Sequence, residues 1–257
     1  MIALIALHGD PPTLRQLEEV LASRFGESVD VTRRPDEGVI ELTAGGESVV
    51  LTSAATPIAP EVYESPCRTA WYWPRASEVF AAHPAHVAIV VRSERNSAKV
   101  RSLWLTRITA ELSEEFGGSG IYWEPAGMVH SPEAFRESAE QMSEAQIPLR
   151  LWVRFQLVEN DDGTHSLFTQ GLKPLGLMEI EIRQSARPAE NIYGWAFNIA
   201  HFMLERGEVV PDGNTVGVSP SEWIRVHHLA SALDAERTVL FLDLDLDEEM
   251  GAAGEMA

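Results

Sequence analysis

Two glycine-closed hairpins constrain this chain more than any other feature. Leu151, Val153, Phe155 and Leu157 alternate with Trp152, Arg154 and Gln156, and Asn160-Asp161-Asp162-Gly163 separates them from a return run over 166–169. A period of two gives a strand one apolar face, and a closing glycine permits the positive φ of a tight turn, so the runs are neighbouring antiparallel strands. The same grammar recurs at 39–42 and 48–52, joined through Ala44-Gly45-Gly46. Helical periods flank both hairpins. That argues against a doubly wound parallel sheet and for an α+β fold of mixed, mostly antiparallel sheets with packed helices. The arrangement permits two related lobes, 1–118 and 119–247, within one globular unit of 1–247, although no residue-level repeat connects them.

The other elements follow from apolar spacing and helix punctuation. Residues 1–7 lack a basic leader and a small-residue cleavage site, so they read as a buried first strand. Asp10 followed by Pro11 and Pro12 predicts an N-cap and first turn, after which Leu14, Leu17, Leu21 and Phe25 share a helical face up to Gly26. Residues 53–74 show no sustained period and are expected to form an ordered connection carrying Cys67 and Trp71-Tyr72-Trp73, with a short helix after Pro74. A fully buried strand over 86–91 precedes a long helix opened by Ser97, with Val100, Leu103, Trp104, Ile108, Leu112 and Phe116 at helical spacing before Gly117-Gly118. A strand at 121–123 and a helix begun by Ser131-Pro132-Glu133 come next. A strand at 178–182, a helix over 188–205 ending at Gly207, and strands at 223–229 and 238–242 complete the order.

Among 257 residues, 20 Lys plus Arg face 39 Asp plus Glu, a formal charge of −19. An excess this large repels nucleic acid and anionic membrane surfaces. The acidic run from Asp243 passes into Gly and Ala, so 248–257 reads as a flexible tail. The single cysteine, Cys67, permits neither an internal disulfide nor a thiolate zinc cluster, and no window approaches the roughly 18 apolar residues of a membrane helix. The expectation is a cytoplasmic protein.

No phosphate-binding loop, dinucleotide fingerprint or calcium loop is present. His83 and His86 have a spacing that some metal sites use, but lack an obvious third ligand; the adjacent His227 and His228 point to opposite strand faces. Cys67 is either a nucleophile with a lowered pKa or a small buried side chain. Ser119 lies between glycines without a nucleophile-elbow pattern. Glu179 and Glu181 share a strand face, which is either a catalytic carboxylate pair or, as favoured here, a solvated face opposite Ile180 and Ile182. Trp71, Tyr72 and Trp73, with Arg68 and Arg75 beside them, have the composition of a binding hot spot if exposed and of core if not.

Ile121-Tyr122-Trp123-Glu124-Pro125 with Ser131-Pro132-Glu133-Ala134-Phe135, the stretch from Gly171 to Ile180, and Gly207-Glu208-Val209-Val210-Pro211-Asp212-Gly213-Asn214-Thr215 together resemble the bacterial domain of unknown function DUF4261, mainly over 121–228. The chain departs from that pattern at Met178, where proline is frequent. The resemblance implies no established activity and transfers no catalytic residue. It implies a context beside bacterial secretion and toxin systems.

The expected function is a non-enzymatic acidic binding protein, most specifically an immunity-type inhibitor of a bacterial toxin or secretion-system effector, working without cofactor or metal. Its basic protein partner would be contacted by Trp71, Tyr72 and Trp73 and steered by Asp243, Asp245 and Asp247. The alternative is a hydrolase or small-ligand enzyme using Glu124, His130, Glu179 or Glu181 in a cleft.

Overall fold

The computed structural model describes residues 1–26, 29–34, 38–44, 46–92, 97–143, 146–217 and 222–244. The chain is α+β, and it divides into two compact units, Met1–Trp152 and Val153–Ala257. The first runs β1 (Ile2–Leu7), α1 (Leu14–Phe25), β2 (Val29–Arg34), β3 (Val39–Ala44), β4 (Glu47–Ala54), α2 (Pro60–Thr69), α3 (Ala76–Ala82), β5 (Ala85–Arg92), α4 (Ala98–Glu115), β6 (Gly118–Trp123), β7 (Met128–His130), α5 (Pro132–Glu140) and the short α6 (Leu149–Trp152). The second runs β8 (Arg154–Glu159), β9 (His165–Gln170), β10 (Ile180–Ser185), α7 (Ala189–Arg206), β11 (Thr215–Gly217), β12 (Trp223–Ala230) and β13 (Thr238–Asp243). Because β6 pairs with β1, the first unit extends past the 118/119 boundary suggested by the hairpin pattern.

The first unit holds a seven-stranded antiparallel sheet in the order β2-β3-β4-β5-β1-β6-β7. β1 is apolar on both faces because it lies between β5 and β6 with helices on either side. Ile5 sits opposite Val87 and Ile121 on the α4 face. Ala6 packs with Tyr63, Cys67, Phe80 and Val129 on the α2–α3 face. Gly118 lets α4 approach β6 closely: a Cβ there would fall 2.3 Å from Ser113 Oγ.

Two local expectations for this unit are corrected. α1 is capped by Thr13 rather than Asp10: Thr13 Oγ1 accepts from Gln16 N–H at 3.3 Å and Gln16 Oε1 accepts from Thr13 N–H at 2.9 Å. This capping box satisfies two otherwise open donors at once, whereas Asp10 lies beyond two prolines. Within 53–74, the chain forms α2 instead of an irregular connection. Pro60 opens the helix and Pro66 sits inside it, which hid the Tyr63–Cys67 stripe that it buries. The expected tail, 248–257, lies outside the described residues.

The second unit has the sheet order β11-β12-β13-β10-β9-β8, antiparallel except where β10 runs parallel to β13. α7 packs on the β8–β9–β10 side through Ile192, Ala196, Ile199 and Met203, and Gly207 ends it at φ 69°. The alternating run expected from Leu151 begins as a strand only at Arg154, because 149–152 coil into α6 with Leu151 and Trp152 buried. Phe155 then packs against Tyr193 and Phe197 of α7, while Leu157 is exposed.

Candidate functional site

The corner between α2 and α3 holds one large apolar side chain in water above a tightly bonded base. α2 ends as Ala70 N–H bonds to the Cys67 carbonyl, and Trp71 N–H, Trp73 N–H and Ala76 N–H then bond to the carbonyls of Thr69, Ala70 and Trp73 at 3.0, 2.9 and 3.0 Å. Trp73 turns inward against Phe80, ring centroids 6.0 Å apart at 71°. Gly120 makes room for both rings, since a Cβ there would fall 2.8 Å from Phe80 and 3.1 Å from Trp73. Tyr72 lies over His130 at 6.3 Å, and its hydroxyl donates to the Val129 carbonyl at 2.9 Å. Trp71 meets the edge of Tyr72 at 5.9 Å and 83°, yet it remains 85% exposed. Thus Trp71 and part of Tyr72 meet solvent, while Trp73 is partly buried against the core cluster.

Two histidines support this corner as neutral rings. His83 Nε2 accepts from Ile58 N–H at 2.6 Å while Nδ1 meets the Phe80 carbonyl, so Nδ1 carries the proton and the ring ties the approach to α2 onto α3. Burial lowers its pKa; its bond to the Phe80 carbonyl opposes that shift and the His86 charge adds to it. His130 is buried beside Phe135, and burial pushes its pKa down to about 4 against the opposing effect of a bond to the Leu151 backbone. Nε2 of His130 has no hydrogen-bond partner. Cys67 is likewise buried, and burial raises its thiol to about 11. It is therefore protonated near neutral pH and serves as a small apolar side chain.

Glu179 and Glu181 overturn the solvated-face expectation, because both are buried. Glu179 accepts from Thr169 Oγ1 and from the backbone N–H groups of Gly171, Leu172 and Lys173 at 2.8, 2.9, 3.2 and 3.0 Å. The carboxylate thereby fills a nest of amides and fixes the 3-10 turn Lys173–Leu175. Glu181 accepts from Arg183 at 2.8 and 3.0 Å, from Ala232 N–H at 3.0 Å and from Ser231 Oγ. Sequence showed the two carboxylates but not their donors, which for Glu181 lie up to 51 positions away.

Glu124 is exposed and His130 buried in the first unit, while Glu179 and Glu181 belong to the second. Ser119 Oγ donates to the Ala6 carbonyl at 3.1 Å, and His86 Nδ1 lies 2.7 Å from the Thr56 carbonyl. His228 Nε2 meets the Val210 carbonyl at 2.8 Å, whereas His227 lies on the other strand face, 4.0 Å from Asp212 and 3.9 Å from Asp243. Among the described residues no group of three His, Cys, Asp or Glu side chains is arranged to hold a metal ion, and no helix is long and apolar enough to cross a membrane. Asp243 is partly buried opposite Arg225; Asp245 and Asp247 lie outside the described residues.

The family model of the domain of unknown function DUF4261 matches residues 168–243, a segment running from β9 to the end of β13. It contains both glutamate clamps but neither the aromatic corner nor the resemblance noted at 121–135. No curated protein and no solved structure matches the chain.

Proposed function

We propose that the chain is a non-enzymatic binding protein that docks a basic protein partner through Trp71 and Tyr72, in the manner of an immunity-type inhibitor of a bacterial toxin or secretion-system effector. One observation carries this reading: a tryptophan 85% exposed on a base whose neighbours are fixed by hydrogen bonds and ring packing. Burying such a ring on a partner is worth about 2–3 kcal/mol, and a pre-ordered base reduces the entropy lost on docking. The −19 charge supports a cationic partner, because an acidic surface accelerates its approach.

Co-expression with a toxin encoded beside the gene tests the reading. The wild-type chain is expected to restore growth and copurify with the toxin. Trp71→Ala should weaken the complex at least tenfold without unfolding the chain. Failure of the wild-type chain to bind or protect, or protection that is indifferent to Trp71, contradicts the proposal.

A further inference from the structure

A cleft of about 420 Å³ lies between α7 and β11, within the second unit. Asn198, Phe202 and Arg206 recur every four residues along its helical wall, and Thr215, Val216 and Gly217 form its strand wall. Among the described residues β11 is the end strand of its sheet. Val216 pairs with Ile224, and Val226 N–H bonds to the Asn214 carbonyl at 2.8 Å. Alternation of the antiparallel ladder therefore directs the N–H and C=O of Val216 toward β12 and those of Thr215 and Gly217 outward.

The side-chain geometry agrees. Thr215 and Gly217 stand opposite Arg225 and Trp223, on the face away from buried Ile224 and Val226, and a Cβ on Gly217 would fall 3.3 Å from Trp223. They consequently meet the cleft with backbone atoms. Val216 shares the Ile224 face and gives the cleft an apolar floor. Opposite, the Arg206 guanidinium lies 4.6 Å above the Phe202 ring and has no carboxylate partner among the described residues.

We propose that this cleft takes an extended peptide segment bearing one carboxylate, which joins the open edge of β11 as a further strand. The two outward N–H and C=O pairs supply main-chain recognition, Val216 and Phe202 accept an apolar side chain, and Arg206 takes the carboxylate. Glu208 borders the same end and disfavours a second negative charge. The inference does not depend on the aromatic corner.

Random heptapeptides displayed on phage would be selected against the full chain, and the most enriched sequence synthesised for fluorescence anisotropy. Enrichment of β-branched or aromatic residues in alternation, with Asp or Glu at one fixed place, is expected. Thr215→Pro, which removes an outward N–H and spares the β12 ladder, should weaken binding at least tenfold, and Arg206→Gln should erase the acidic preference. Trp71→Ala should change neither. N-methylation of alternate peptide amides keeps the test independent of protein folding: methylation in one parity should abolish binding and in the other leave it intact. No enrichment over blank support, or affinity indifferent to both Thr215→Pro and N-methyl parity, overturns the proposal. So does self-association in light scattering that vanishes in Thr215→Pro, which would give the edge to a second copy of the chain.

Discussion

At the α2–α3 corner a large apolar ring stands in water above a hydrogen-bonded base, whereas beside β10 two carboxylates lie out of water, each held by four hydrogen bonds. Each arrangement inverts the usual placement of its side chain. They differ in what remains unsatisfied. The carboxylates have intramolecular donors and act as clamps within the fold. Trp71 has apolar area left in water, and this is the area the proposed partner would cover.

The largest expected effect lies on the carboxylate side. Glu179→Ala leaves Thr169 and the amides of Gly171, Leu172 and Lys173 without their acceptor, and urea unfolding should show a loss of about 3–5 kcal/mol. A loss under about 1 kcal/mol would place this glutamate outside the scaffold.

Acidification should weaken the support beneath the aromatic corner. The folded His130 pKa of about 4 lies below its unfolded value of about 6.5, so the unfolded chain binds the proton more readily. The stability from the neutral ring is full above about pH 6.5 and is lost as pH falls toward 4, by about 3 kcal/mol at the limit. His83 shifts in the same direction, and protonation would set a second N–H against that of Ile58. Unfolding curves at stepped pH should therefore flatten in His130→Phe; an unchanged slope would remove His130 from the account.

Close helix–strand contact gives a smaller effect. Gly118→Ala places a methyl 2.3 Å from Ser113 Oγ and 3.0 Å from Ile5, and should cost about 1–3 kcal/mol in a thermal or urea melt. The smallest change belongs to Trp71→Ala, within about 0.5 kcal/mol of wild type, because its ring contributes little to the core. A destabilisation comparable to that of Gly118→Ala would make Trp71 a structural residue and erase the contrast.

The α+β class and most strands were legible because their period and glycine turns are local. Ser97 and Ser131 cap helices as their sequence positions suggest, each accepting the N–H three residues on. α2 was hidden by Pro66, and α6 by an alternation that coiling made irrelevant. Residue type identified Trp71 as a candidate, but its separation from Trp73 depended on distant Phe80, Gly120 and Val129. Glu179 and Glu181 were misread for the same physical reason: solvation depends on donors that strand alternation cannot reveal.

The most direct measurement is the binding kinetics of wild-type and Trp71→Ala chains with the proposed basic partner, across a series of salt concentrations. The account predicts an association rate that falls with salt equally for both, and dissociation at least tenfold faster for Trp71→Ala. Equal dissociation rates, or association insensitive to salt, would contradict it.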